Sequence, residues 1–416
     1  MKRLLSVTGF TALLTLLRMV AGFVIAKVVA IYTGPTGMAM LGQIQSIVGI
    51  LNGIINAPVG TGVVRYTAEN IDDGFESCAP WWKASLYWCV ILLILIVPIG
   101  CLLSGTLSYW LFDDKGYYWL IILACIVLPF SAINTLITSI INGQQQYKRY
   151  VILGMISTLI STIIMITLIF TLNLKGALIA AVINTSISGI ILLLSSLNQP
   201  WLRIKYWWGV TELEHKKKLG GYTLMTITSA ISLPIALIFI RNMLVQQVGW
   251  DSAGQWQAVW KISEVYLSII TLSLSTYYLP KLSKINNVVN IKSEIIKTTL
   301  VALPVVILAA GIVYLLRDVA ISVLFTKDFY NAREFFAIQL LGDVVKIISW
   351  IFAYPMLSRG NVKIFVISEL LFSFIFVLLA FVFIPIFGVH GANYAYLLNY
   401  ILYFLFVFLF YFRNMR

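Results

Sequence analysis

Twelve apolar runs, each long enough to cross a bilayer as a helix, recur along 416 residues with only short polar breaks between them. A hydrocarbon core about 30 Å thick takes about 20 residues of α-helix at 1.5 Å per residue. No soluble core needs a dozen such runs, so the chain reads as an all-α integral membrane protein. The spans fall roughly at 10–32, 39–64, 84–105, 117–142, 150–171, 175–196, 221–247, 253–280, 297–316, 332–357, 362–384 and 390–411. Gly34-Pro35 marks the turn between the first two. Only 11% of residues are charged, against about a quarter in soluble proteins. The first run is too long for a signal-peptide core and has no small-residue cleavage site after it, so it should stay as a helix.

The net charge of +13 does not form one basic patch, which excludes nucleic acid as the expected partner. The cations fall in alternate breaks. One side holds 19 of the 29 Lys and Arg, from Lys2 and Arg3 through "HKKK" to Lys284, Arg413 and Arg416. About five, among them Lys115, Lys175 and Lys327, fall on the other. By the positive-inside bias both termini are cytoplasmic. The outer connections near 106–116 and 317–331 are short loops with no room for a folded domain. The four cysteines read as small buried hydrophobes and not as a disulfide or metal set.

The longest polar stretch, Asn198 to Leu219, divides the chain into 1–198, a cytoplasmic linker 199–219, and 220–416. Its "ELEHKKK" run is read as a solvated anchor. The two six-span parts resemble each other. "KGALIAAVINTSI" aligns with "HGANYAYLLNYIL", pairing Gly176 with Gly391, Ala177 with Ala392, Ala180 with Ala395 and Asn184 with Asn399 at an offset of 215. Gly37 and Gly254, and Ser46 and Ser263, match at 217, and "QYKRYVIL" parallels "GNVKIFVIS". Six spans per part keep both copies in one orientation, which predicts two six-helix lobes related by a pseudo-twofold along the membrane normal. Transporters place substrate at such repeat interfaces.

Charges at depth sharpen that expectation. Arg18, Lys27, Arg241, Lys261, Glu264, Asp343, Lys346 and Glu369 lie inside predicted spans, where each cation costs about 2.5–3.5 kcal/mol at a helix centre. Arg241 falls within a turn of the repeat equivalent of Lys27. Five cations against three carboxylates leave a positive surplus, tolerable where the side chains line a wet cavity that attracts an anion. Phosphate or pyrophosphate fits the paired donors of Arg and the point charge of Lys. Competing readings stand beside this one. Lys27 and Arg241, about 8–9 Å from their helix ends, are within snorkelling reach. Arg18 and Lys27 are nine residues apart and face opposite sides of one helix. Lys261 with Glu264, and Asp343 with Lys346, are spaced for intrahelical pairs. Glu369 is either satisfied by a neighbouring helix or protonatable. Trp256, Trp260, Tyr266 and Trp350 suit sugar stacking or packing, and most other aromatics an interfacial belt. Asn52, Asn56, Asn134, Asn142, Asn184 and Asn399 suit interhelical bonds or sugar contacts. No phosphate loop, zinc spacing or nucleophile–His–acid trio is present, and His215 and His390 are placed in loops. No catalytic residue, metal or cofactor is therefore expected.

The segments "GWDSAGQWQAVWKISEVYLSIITLSLSTYYLPKLSK", "LLRDVAISVLFTKDFYNAREFFAIQLLGDVVKIISWIFAY" and "AGFVIAKVVAIYTGPTGMAML" carry a resemblance along the whole chain. It resembles the Wzx-type polysaccharide flippases of the MOP superfamily, near the enterobacterial translocases for O-antigen units and for lipid III of the common antigen. The resemblance implies twelve helices in two lobes around a central cavity of the bacterial inner membrane. It also implies an undecaprenyl-pyrophosphate-linked oligosaccharide as cargo, and the polymerase and chain-length proteins of one pathway as partners. Arg18, Lys27, Arg241, Asp343 and Lys346 fall where such flippases have similar residues, whereas Lys261 is not carried over from the family. Headgroup binding is assigned to Arg18, Lys27, Arg241, Lys261 and Lys346. Exchange with protons or another cation would fall to Glu264, Asp343 and Glu369. A cation-coupled multidrug antiporter fits less well, because the embedded surplus has the wrong sign. A membrane-embedded glycan polymerase or transferase fits less well for want of a large outer loop or a carboxylate cluster.

Overall fold

The computed structural model describes residues 2–283, 285, 287–359 and 361–414. Lys284 and Arg416, two of the cations in the orientation argument, lie outside the described residues. Among the described residues there is no strand. The helices are α1 (Lys2–Asn56), α2 (Thr61–Asn70), α3 (Phe75–Leu102), α4 (Ser104–Phe112), α5 (Tyr118–Gly143), α6 (Tyr147–Ser196), α7 (Leu213–Ser273), α8 (Leu279–Ser283), α9 (Val288–Leu315), α10 (Arg317–Leu324), α11 (Phe336–Ser358), α12 (Val362–Phe387) and α13 (Val389–Asn414).

Nine helical stretches among the described residues are long and apolar enough to cross a membrane. Three of them hide a break. α1, α6 and α7 each contain one residue with non-helical backbone, at Gly34 (φ 62°), Asn173 (φ 49°) and Gly249 (φ 84°). These are the points that separate spans one from two, five from six and seven from eight. Glycine reaches positive φ without a Cβ clash, and asparagine is among the few other residues enriched there. The chain turns back on itself at Asn173: a Cβ on Gly176 would lie 1.9 Å from the carbonyl oxygen of Leu168. In a straight helix eight residues would hold the two about 12 Å apart.

The breaks repeat. Gly34 (φ 62°, ψ −166°) matches Gly249 (φ 84°, ψ 167°), and Asn173 (φ 49°, ψ −125°) matches Gly388 (φ 57°, ψ −133°). Gln144 and Arg359 end α5 and α11 with ψ 0°, and Gln146 and Asn361 precede α6 and α12 with ψ 57° and 65°. Each pair is 215 residues apart. Gly391 completes the set, since its added Cβ would meet the Phe383 carbonyl oxygen at 2.3 Å, as Gly176 meets Leu168. The offset of 217 suggested by Gly37 and Gly254 is therefore not the one the backbone breaks follow.

By its contacts the chain forms two compact units, one of Met1–Tyr32 with Met40–Ile235, the other of Thr33–Ala39 with Ala236–Arg416. In the first unit residues 199–219 do not hang free. Trp201 is buried, Trp207 stacks on Trp82 at 5.3 Å, Thr211 Oγ1 donates to the Pro80 carbonyl, and Lys205 pairs with Glu76 at 3.1 Å. Tyr206 is buried too, so this aromatic group packs on α3 and is not simply an interfacial belt. In the second unit α9 presents Leu300, Val301 and Leu308 as exposed apolar residues, the surface a bilayer would cover. The outer connections expected as loops carry the short helices α4 and α10, and His215 and His390 lie in the first turns of α7 and α13. The two short helices start after Leu103 and Leu316 without a side-chain cap, so no capping residue announces them in the sequence. All four cysteines are free, and Cys78, Cys89 and Cys125 are buried.

Candidate functional site in two intramembrane polar clusters

In the second unit α7, α11, α12 and α13 bring most of the embedded charges together. Asp343 on α11 is fully buried, and its carboxylate accepts hydrogen bonds from Tyr266 Oη at 2.7 Å and Tyr396 Oη at 2.8 Å. Lys346, one turn further along α11, is buried among rings. Its ammonium lies 5.0 Å from the centroid of Trp350, 5.3 Å from Tyr400, 5.7 Å from Tyr396 and 5.9 Å from Trp260. Four π-faces around one ammonium form an aromatic cage, the arrangement that holds cations with little water. The intrahelical Asp343–Lys346 ion pair is not formed among the described residues: two phenols hold the carboxylate and rings hold the ammonium.

Arg241 on α7 is 1% exposed, and its Nε donates to Gln257 Oε1 at 2.9 Å. That burial answers the snorkelling reading, because in this conformation the guanidinium turns inward. Glu264 is exposed. It accepts from Trp260 Nε1 at 3.0 Å and pairs with the half-buried Lys261 at 3.3 Å, so the i,i+3 pair expected there is present. Glu369 on α12 is half-buried and within electrostatic reach of Lys346 and Tyr400. Trp256 donates to Asn393 at 2.8 Å. Trp256, Trp260 and Tyr266 thus make hydrogen bonds within the unit, and Trp350 lends its face to Lys346.

The first unit holds a different space. A cavity of about 530 Å³ lies among α1, α5 and the two arms of α6. Arg18, exposed, is its charged lining residue, and the rest mixes polar side chains, including Asn134, Thr135, Ser157, Ser161, Asn184 and Ser188, with the apolar Ile25, Ile141 and Leu192. Lys27, half-buried on the same helix, is not part of that lining. Asn52 Nδ2 donates to Thr185 Oγ1 and Asn56 Nδ2 to Ser131 Oγ, both at 3.2 Å, which is the interhelical bonding expected of such residues.

Sequence reasoning missed Tyr396 and Tyr400, which build the cage, Gln257, which holds Arg241, and the serines of the first cavity. The period was legible: Ser157 with Ser161, and Asn184 with Ser188, are i,i+4 pairs on one helix face. The offset of 215 would have set them against Phe372, Phe376, Asn399 and Tyr403.

Comparison with known proteins follows the same architecture. The chain is 28% identical over 395 residues to the "Lipid III flippase" of Escherichia coli (strain K12), covering 95% of each chain, and equally to that of Shigella flexneri. Among solved structures it resembles an inward-facing multidrug resistance MATE family transporter of the MOP superfamily, with TM-score 0.78 and 14% identity over 97% of this chain and 94% of that one. It also resembles the lipid II flippase MurJ in an inward closed conformation, with TM-score 0.73 and 15% identity over 97% and 86%. These likenesses establish the all-helical MATE/MOP transporter fold. The polysaccharide biosynthesis protein family matches residues 4–286, well over half of the sequence, and this chain belongs to that family.

Proposed function

We propose that this protein is a flippase, a transporter and not an enzyme, that moves an undecaprenyl-pyrophosphate-linked oligosaccharide from the cytoplasmic to the periplasmic leaflet of the bacterial inner membrane. The observation that carries this reading is the likeness to the lipid III flippase across 95% of both chains. The embedded charges agree with it: a cationic, sugar-bearing path suits a diphosphate headgroup whose prenyl chain stays in lipid. The cargo is an O-antigen repeat unit or, as the close variant, lipid III itself. A multidrug antiporter, the class of the MATE neighbour, suits a positive interior less well.

In this reading the two lobes alternate access about a central path, with both termini cytoplasmic. Arg18, Lys27 and Lys261, the cations not fully enclosed, meet the headgroup. Arg241 and Lys346, held inside the second unit by Gln257 and by the cage, set the local positive potential and engage the headgroup when the helices move. Glu264, Asp343 and Glu369 are the acids available to exchange a proton or another cation. Polymerase and chain-length proteins of the same pathway are the expected partners.

Deletion of the gene, followed by identification of the lipid-linked oligosaccharide that accumulates on the inner leaflet, is the direct test. Accumulation of none would end this assignment. Lys27→Ala with Arg241→Ala is expected to abolish surface-glycan display while the protein stays in the membrane, and full display would remove these two from the headgroup path. Asp343→Asn and Glu369→Gln in reconstituted vesicles test coupling, and transport unchanged without any ion gradient would exclude ion exchange.

A further inference from the structure

We propose that the cavity inside the first unit is a glycan subsite, which takes a sugar residue of the transported oligosaccharide through its hydroxyls. The proposal rests on the flippase reading and adds where the sugar, as distinct from the pyrophosphate, is held.

Hydrogen-bond capacity is the first argument. Thr158 and Thr162 spend their hydroxyl protons on the carbonyls of Gly154 and Thr158, at 2.8 and 2.7 Å, so what they turn to the cavity is acceptor lone pairs. Arg18 can only donate. Asn134 and Asn184 offer both kinds of group. Ser157 is 4% exposed, and its Oγ has no hydrogen-bond partner among the described residues. A buried hydroxyl left unmatched forfeits the hydrogen bonds it made to water, so this one marks a place where a ligand group or water belongs. A polyol both donates and accepts at every carbon and matches this mixed lining. A bare phosphate, which only accepts at full ionisation, matches Arg18, the asparagine amides and the Ser157 hydroxyl but leaves the acceptors on Thr158 and Thr162 unmet. The volume of about 530 Å³ is that of a small-molecule site.

The repeat supplies the second argument. At the offset of 215, Ser157, Ser161, Thr185 and Ser188 correspond to Phe372, Phe376, Tyr400 and Tyr403. In the second unit those rings are buried and pack closely, Phe372 on Tyr403 at 4.9 Å, Tyr400 on Tyr403 at 6.4 Å and Phe376 on the neighbouring Tyr396 at 5.9 Å, so bulk stands where the first unit has hydroxyls. Helix packing alone is therefore solved by rings in one copy, while the other copy keeps small hydroxyls around an open volume. Gly154 borders the same space: a Cβ there would come 2.8 Å from Leu14 Cδ2, so the bare Cα is what lets the Leu14 side chain of α1 pack on α6 beside the cavity. Its repeat partner is Glu369.

The experiment compares two probes by native mass spectrometry of the purified full chain: undecaprenyl pyrophosphate, and the lipid-linked oligosaccharide extracted from cells lacking this protein. The wild type is expected to bind the oligosaccharide form about tenfold more tightly. Ser161→Phe, which installs the residue found at the matching place in the second unit, is expected to erase that preference while undecaprenyl pyrophosphate binds within about twofold of wild type. No preference in the wild type, or preference kept by Ser161→Phe, overturns the subsite and leaves the flippase reading standing. Failure of both probes to bind the wild type ends the flippase reading and the subsite with it. Should Ser161→Phe not fold, seen as loss of both probes, Ser157→Val, which removes the unmatched hydroxyl at nearly constant volume, decides: weakening of the oligosaccharide form alone supports the subsite, and equal weakening of both probes or no change in either overturns it.

Discussion

The two units solve one packing problem with opposite residues. Where α12 and α13 face each other, Phe372, Phe376, Tyr396, Tyr400 and Tyr403 interlock, and Tyr396 and Tyr400 turn their faces to Lys346. Where the two arms of α6 face each other, Ser157, Ser161, Thr185 and Ser188 leave a cavity beside Arg18. The backbone is the same in both places, with matching breaks at Asn173 and Gly388 and matching close approaches at Gly176 and Gly391. A duplicated frame thus leaves side-chain volume free to diverge. One copy has become a ring-packed core around Lys346 and Asp343, and the other holds a cavity with polar groups on its wall. The lesson is that a repeat conserves turn geometry, which steric rules dictate, far longer than it conserves what the turns enclose.

Substitutions can break this contrast, and the largest effect should come from emptying the ring-packed copy. Phe376→Ala, at a site 1% exposed, is expected to cost about 3–5 kcal/mol, read as a lowered melting temperature of the detergent-purified protein. A harmless Phe376→Ala would mean the rings do not hold the second unit together. Next, Tyr396→Phe takes one of two hydrogen bonds from buried Asp343 and should cost about 1–3 kcal/mol in the same assay. Lys346→Met keeps the length of the side chain and removes its charge. A loss of up to about 2 kcal/mol is expected if the four rings hold a cation, and none if they are packing only.

Asn173→Gly copies the residue found at position 388 and relieves a non-glycine side chain at positive φ. It should raise stability by about 1 kcal/mol, while Gly388→Asn lowers it. The smallest effect is expected outside the membrane, at Glu214. Its hydrogen bond and ion pair with Lys218 hold the carboxyl below its ordinary range. Any stability this lends is present above the ordinary carboxylate pKa and is lost as pH falls through the lowered one. The pair is exposed to solvent, so Glu214→Gln should leave the melting temperature unchanged from neutral to acid pH.

Much of this architecture was readable in advance, and the reasons differ by feature. Hydrophobic length placed the spans, since a bilayer demands a minimum run of apolar helix whatever packs against it. Gly34-Pro35 announced its turn because backbone sterics are local. The short helices α4 and α10 were not legible, because nothing in a brief polar connection distinguishes a helical turn from a loop. Nor was the docking of residues 199–219 on α3, which depends on Trp82 and Trp207 meeting across more than a hundred residues. Among the charges, the Lys261–Glu264 pair could be anticipated from spacing on one helix. The equally well spaced Asp343 and Lys346 did not pair, because Tyr266, Tyr396 and Tyr400 arrive from other helices and offer each a better partner.

By itself, then, the sequence determined the number and length of apolar runs, the places where glycine and asparagine break them, and the presence of cations and acids at membrane depth. Each of these follows from local chemistry acting within a few turns of chain. Only the tertiary structure decided that Arg241 and Lys346 are enclosed while Arg18 borders a hollow, and that one copy of the repeat is filled and the other open. Enclosure depends on which side chains approach from helices distant in sequence, and no spacing along a single helix encodes that.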